Sequence, residues 1–98
     1  MHRLTVTPKA ESDLTEIWMY TGEEWGVEQA DSYLDRLEAG MNQLINHPSL
    51  GANYAHVLPG YRRLQVQHHA VFYQVVGPEV RVIRVLHEDM DAPRRLLD

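Results

Sequence analysis

Five side chains in the second half of this chain are of the types that handle phosphates and protons. Arg62 and Arg63 are adjacent, Arg81 and Arg84 lie three residues apart, and His87 follows. A guanidinium fork grips a phosphate through two parallel hydrogen bonds, and an imidazole moves a proton near neutral pH. Successive side chains on a strand alternate between faces. Arg62 and Arg63 therefore diverge, Arg81 and Arg84 emerge on opposite faces, and His87 shares its parity with Arg81. Paired strands would bring one arginine of each pair and His87 onto one face, the constellation of a metal-free ribonuclease. The same arginines equally suit a structural role, covering apolar neighbours with their long stems or pairing with helix carboxylates.

Other chemistries find less support. His68 and His69 are neighbours on or beside a strand and should point apart. His2, His47 and His56 lie in separate elements, and His87-Glu88-Asp89 with Asp91 matches no metal-ligand spacing. No metal or other cofactor is expected. The chain has no cysteine, so it has neither a disulfide framework nor a thiol nucleophile. Its glycines are isolated rather than gathered into a phosphate loop, no G-x-S-x-G elbow occurs, and Ser12 and Ser32 belong to exposed helical faces. Trp18, Tyr20 and Trp25 are of the types that anchor partners, but helical spacing favours Trp18 and Trp25 as packing residues.

With 98 residues, 44% hydrophobic and 23% charged, the chain has the composition of one globular domain, residues 1–98. The net charge of −5 is unevenly placed. Residues 1–50 hold three basic residues against nine acidic ones, and residues 51–98 hold six arginines against five acids. A local arginine patch is available late in the chain, but not the long basic stripe of a phosphate-backbone binder. Sequence-specific nucleic-acid binding is not expected. No apolar run approaches a bilayer span, and the opening Met1-His2-Arg3-Leu4 reads as a strand rather than a leader. A cytoplasmic location without membrane contact is expected.

The elements that must position these groups follow from period and punctuation. Arg3 to Val6 alternates as a short strand. Thr7-Pro8 starts a helix, with the hydroxyl as N-cap and proline where no amide is needed. Glu11 and Asp13 suit its positive end. Ala10, Leu14, Ile17, Trp18, Thr21 and Trp25 make an apolar face, and Gly26 ends the helix. Ala30, Tyr33, Leu34, Leu37, Met41, Leu44 and Ile45 predict a second helix, stopped near Asn46 by Pro48. The two form an antiparallel hairpin. Ser49 to Gly60 has no period and is expected to be loop. Tyr61–Val66, Ala70–Val76 and Val80–Leu86 read as strands, the middle one apolar enough to be covered on both faces. Asp91-Ala92-Pro93 can start a last helical turn through Leu97. The expected fold is α+β in the order β-α-α-β-β-β, a helical hairpin packed on a small, mainly antiparallel sheet, with a short C-terminal helix.

This order coincides with local strings that carry a resemblance. They are Thr7-Pro8 with Ala10, Asp13-Leu14 with Ile17-Trp18 and Tyr20, and Trp25-Gly26 with Gln29-Ala30 and Tyr33. They continue through Pro48 with Leu50-Gly51, Gly60-Tyr61-Arg62, the His69–Tyr73 strand, and Ile83-Arg84-Val85-Leu86-His87 leading to Met90-Asp91. Together they resemble ParE-type toxins of bacterial type II toxin–antitoxin modules, in the RelE/ParE superfamily, along nearly the whole chain. The resemblance implies a RelE/ParE-like fold and a growth inhibitor that poisons DNA gyrase and is neutralised by a cognate ParD-like antitoxin. That makes it a protein inhibitor rather than an enzyme. RelE-type relatives cut mRNA on the ribosome, and under that alternative Arg62, Arg84 and His87 would be the catalytic residues. A third reading is a non-toxic partner that only forms an antitoxin complex for operon autoregulation. The acidic balance and single lysine favour gyrase over the RNA-rich ribosome. On the gyrase reading, Arg62, Arg63 and Arg81 are the expected antitoxin contacts. Met90, Arg94, Arg95, Leu96 and Leu97 are the expected target-binding surface, and His87 is structural.

Overall fold

The first helix begins where sequence chemistry says it must. The Thr7 hydroxyl accepts the Ala10 amide and donates to the Ile83 carbonyl, so one side chain caps the helix and ties it to a distant strand. The computed structural model describes residues 1–97; Asp98, the last residue of the expected 1–98 domain, lies outside the described residues. Strand β1 (Arg3–Val6) leads into α1 (Pro8–Trp25) and α2 (Val27–Asn46). Between the helices stands one residue, Gly26, at φ 94°, which ends one helix and starts the next. That backbone region is costly for any residue with a Cβ. β2 (Ala52–Asn53), β3 (Arg62–Val66), β4 (His69–Val76), β5 (Glu79–His87) and α3 (Ala92–Leu96) complete the chain.

The five strands form one sheet in the order β1-β5-β4-β3-β2. β1 runs parallel to β5, and every other pair is antiparallel. The α+β expectation holds, with one addition. The segment expected to be loop contributes β2, two residues that pair with Arg62 and Arg63. A strand of that length leaves no hydrophobic period to read. The β3–β4 turn has no glycine; Gln67 itself takes the left-handed conformation at φ 53°. The Gln65 amide group donates to the Gln67 carbonyl, and Tyr33 from α2 accepts the His68 amide, so side chains supply the support that turn residues usually give.

Both faces of the sheet are covered. On one, Ala10, Met41 and Leu44 of the helices pack with Val71, Tyr73, Val80, Val82 and Val85. On the other, Ala70, Phe72 and Leu86 lie under Tyr54, Tyr61, Ala92 and Leu96. The double cover explains the nearly unbroken apolar run of β4. It also removes Leu96 from the exposed surface, because that side chain closes the second cluster. The pairing changes step in β5: Phe72 faces Arg84 while Tyr73 faces Val82, leaving Ile83 as an extra residue. This bulge overturns the parity assigned to the strand from sequence. Val80 and Val82 precede it and Val85 follows it, yet all three join the same core.

Candidate functional site

The bulge and the end of β1 create a local demand. β1 pairs with β5 only as far as Val82, so the next β5 amides on that edge have no strand to meet. Asp13 of α1 fills the gap. Its Oδ2 accepts the Val85 amide at 3.0 Å and the Arg84 Nε at 2.8 Å, while Oδ1 accepts Arg84 Nη2 at 2.9 Å. Asp13 is only 8% exposed, the one buried charged residue among those described. Sequence reasoning assigned it to the helix dipole and missed its burial. The signal was present: Asp13 falls on the stripe of Ala10, Leu14 and Ile17, where a carboxylate requires a buried cation. The third arm of Arg84, Nη1, donates to the Arg95 carbonyl at 3.1 Å and so reaches α3.

Two residues further along β5, beside the start of β4, stands an aromatic and imidazole cluster. Tyr33 accepts the His68 amide, so its single hydroxyl hydrogen goes to His69 Nδ1 at 2.6 Å. Burial pushes the Tyr33 phenol upward, which keeps it a donor. Burial, followed by the neighbouring His87 and His68, lowers His69 to about 4. His69 is therefore neutral at physiological pH and carries its hydrogen on Nε2. Its ring meets Tyr33 and His87 edge-on, with centroids 5.4 and 5.2 Å away. His87 Nδ1 accepts the Asp89 amide, and His68 pairs with Glu88 across the turn.

The ribonuclease constellation is not assembled. Arg62 pairs with Tyr73 while His87 pairs with His69, four residues along β4, roughly 13 Å at strand spacing. The Arg62 Nη1 is bound to the Gly51 carbonyl at 2.8 Å and braces the loop after α2. Arg84 is clamped by Asp13. Arg63 lies over the Phe72 ring and bonds Gln65, and Arg81 pairs with Glu79, holding that carboxyl below the ordinary carboxylate range.

Two clefts open near the ends of β4 and β5. The larger, about 900 Å³, runs between α1, the start of α2 and the strand ends, and Tyr20, Trp25, Tyr33, His69, Met90 and Arg95 form part of its wall. The smaller, about 260 Å³, lies over the opposite face beside Arg63, Phe72 and Asp91; Met90 and His87 border both. Trp18 packs at the seam between the helices, donating to Asp31, as its spacing suggested. Trp25 does not: it is 73% exposed. At the helix end it borders the open cleft rather than filling it, so periodicity overstated its burial. Met90, Arg94, Arg95 and Leu97 are exposed, Leu97 by 75%. Among the described residues no three histidine, aspartate or glutamate side chains converge as a metal ion requires, and no helix is long and apolar enough to cross a membrane.

Comparison with known proteins is consistent along the chain. The profile of the family described as ParE toxin of type II toxin–antitoxin system, parDE, matches residues 4–92. Toxin ParE1 of Mycobacterium tuberculosis is 39% identical over 95 residues, covering 96% of this chain and 97% of the relative. Toxin ParE1 of Caulobacter vibrioides is 42% identical over 88 residues, 90% and 91% of the two chains. Toxin ParE of Escherichia coli is 35% identical over 94 residues, 95% and 91%. Among solved structures, a chain of the chromosomal ParDE toxin–antitoxin system from P. aeruginosa superposes with a TM-score of 0.80 at 25% identity, over 89% of this chain and 96% of that one.

Proposed function

Since this chain belongs to the ParE toxin family of type II toxin–antitoxin systems, we propose that it is the growth-inhibiting component of such a module. On this reading it poisons DNA gyrase in the cytoplasm by binding it as a protein, and a cognate ParD-like antitoxin neutralises it. The observation that carries the choice of target is the state of the three groups an RNA-cutting site would need. Arg62 is spent on a loop carbonyl, Arg84 on Asp13, and the His87 Nδ1 on the Asp89 amide. None is poised to hold a phosphate or shuttle a proton. Exposed Met90, Arg94, Arg95 and Leu97 instead offer the mixture of apolar and cationic side chains that docks on a protein. For the antitoxin, Arg63 and Arg81 offer positive charge on half-buried sheet positions; Arg62 contributes by shaping the adjoining loop. The solved neighbour is a ParDE system, which supports a partner of that kind.

The test uses folded protein free of antitoxin, purified gyrase, plasmid and ATP. Accumulation of cleaved DNA in proportion to added protein is the expected result. No trapped cleavage and no loss of supercoiling at saturating protein, alongside ribosome-dependent mRNA cutting, would replace this reading with the ribonuclease one.

A further inference from the structure

The Arg84 side chain makes polar bonds to both α1 and α3. Three of its nitrogens are aimed at two separate acceptors: Nε and Nη2 at the Asp13 carboxylate, and Nη1 at the Arg95 main-chain carbonyl. We propose that Arg84 is a positioning residue, which orients the C-terminal segment carrying Met90, Arg94, Arg95 and Leu97 for contact with its target. The proposal rests on the reading of that segment as the target-binding surface.

The geometry makes the role specific to arginine. α3 has only five residues, no buried residue, and an N-cap, Asp91, whose side chain makes no capping bond. An isolated helix this short does not persist in water. Its apolar attachment is Ala92 and Leu96 against the second cluster, which fixes its distance from the sheet but allows it to roll. The bond to the Arg95 carbonyl removes that freedom. It gives the Arg95 carbonyl, which also accepts the Leu97 amide, a charged donor, and it places a cation where the helix dipole is negative. Asp13 does the complementary work. By taking two arms of the planar fork, it fixes the direction of the third, and the Val85 amide fixes Asp13 in turn. A point of order thus passes from the β5 bulge through Asp13 and Arg84 to Arg95. A lysine could keep the charge pair with Asp13 but could not span both acceptors.

Arg94 and Arg95 supply a direct readout, because trypsin cuts after each when the segment opens. Cleavage of a transiently opened segment follows the population of the open form. Arg84→Lys, shown to be folded at 25 °C by circular dichroism, should be cut there roughly ten-fold faster than the parent, the factor expected for one lost hydrogen bond from a charged donor. The same variant should trap less gyrase-cleaved DNA. Should Arg84→Lys not fold, Asp13→Asn serves, since its carboxamide still accepts one bond; cleavage should then rise several-fold. In the unaltered protein, an NMR coupling across the hydrogen bond between the Arg84 guanidinium and the Arg95 carbonyl is expected. Unchanged cleavage in a folded variant, absence of that coupling, or full gyrase trapping by a variant whose tail is released would each overturn the proposal. If the parent protein never traps gyrase while Arg84→Lys still loosens the tail, the target assignment fails and the positioning of α3 stands.

Discussion

Removing one hydroxyl from the middle of β4 should destabilise this protein more than most single-atom changes. Tyr73 is fully buried, and its phenol, pushed upward by burial, donates to the Pro48 carbonyl at 2.8 Å and accepts the Gly51 amide at 2.8 Å. In Tyr73→Phe the Gly51 amide is left buried without a partner, which costs about 1–3 kcal/mol. Pro48 is only half-buried, so its carbonyl keeps some access to water and adds the ordinary net value of about 0.5–1.5 kcal/mol. A loss of about 2–3 kcal/mol follows, or a fall in Tm on the order of 10–20 °C for a domain of this size. Urea unfolding followed by circular dichroism measures it, and the m-value should not change, because the surface exposed on unfolding is the same. Gly51 provides a second arm. A Cβ there would stand 2.6 Å from the Tyr73 hydroxyl and 2.7 Å from Cε1, so Gly51→Ala should cost about 1–3 kcal/mol by overpacking. Part of that clash vanishes in Tyr73→Phe, so the double variant should be less unstable than the two losses added together. A Tyr73→Phe loss below about 0.5 kcal/mol, within the range of an inconsequential surface change, would refute the assignment of this hydroxyl as the loop anchor.

Three further outcomes are expected. His69, lowered from 6.5 to about 4, binds its proton more readily in the unfolded chain; its contribution is intact above the unfolded value and is lost as pH falls from about 6.5 towards 4. The full shift would be worth about 3 kcal/mol, and partial exposure reduces this to about 1–2. The His69 Cε1–H resonance should titrate near 4, and a midpoint at or above 6 would contradict the burial of this ring beside His87. His87→Gln should fold normally and retain toxicity in cells, since an amide can replace an imidazole as an acceptor for the Asp89 amide but not as a proton shuttle; loss of an RNA-cutting activity in this variant alone would count for the ribonuclease. Arg94→Ala combined with Arg95→Ala should shift Tm by no more than a few degrees yet reduce gyrase trapping, because both side chains are exposed and the bond to Arg84 uses a main-chain carbonyl.

The helical hairpin was legible because Gly26, Pro48 and a clean 3.6-residue period mark its limits. β4 was legible because both its faces are buried. The candidate site was harder to read for three physical reasons. The bulge at Ile83 breaks the period of two, so parity counted from Arg81 misplaces His87 relative to the arginines. The Asp13–Arg84 pair joins residues 71 positions apart, a distance over which spacing carries no information. The third reason is that a helix period states which side faces inward but not where the cover ends. Trp18 and Trp25 share one stripe, yet Trp18 bonds Asp31 of α2 while Trp25 borders an open cleft and is exposed.

The place of β1 has a consequence for how the chain is made. Its sole partner in the sheet is β5, in a register that joins Arg3 to Glu79 and Val6 to Val82. A ribosome therefore delivers the first strand long before anything exists for it to join. The apolar side of α2 waits equally long for Val80, Val82 and Val85. Contacts of such high sequence separation form late and slowly. A nascent chain stopped before Glu79 should accordingly be digested by protease as an unfolded polymer, whereas the released chain resists. The folded surface therefore cannot be complete until β5 has been made. A partner that recognises that surface has no half-made version of it to capture on the way.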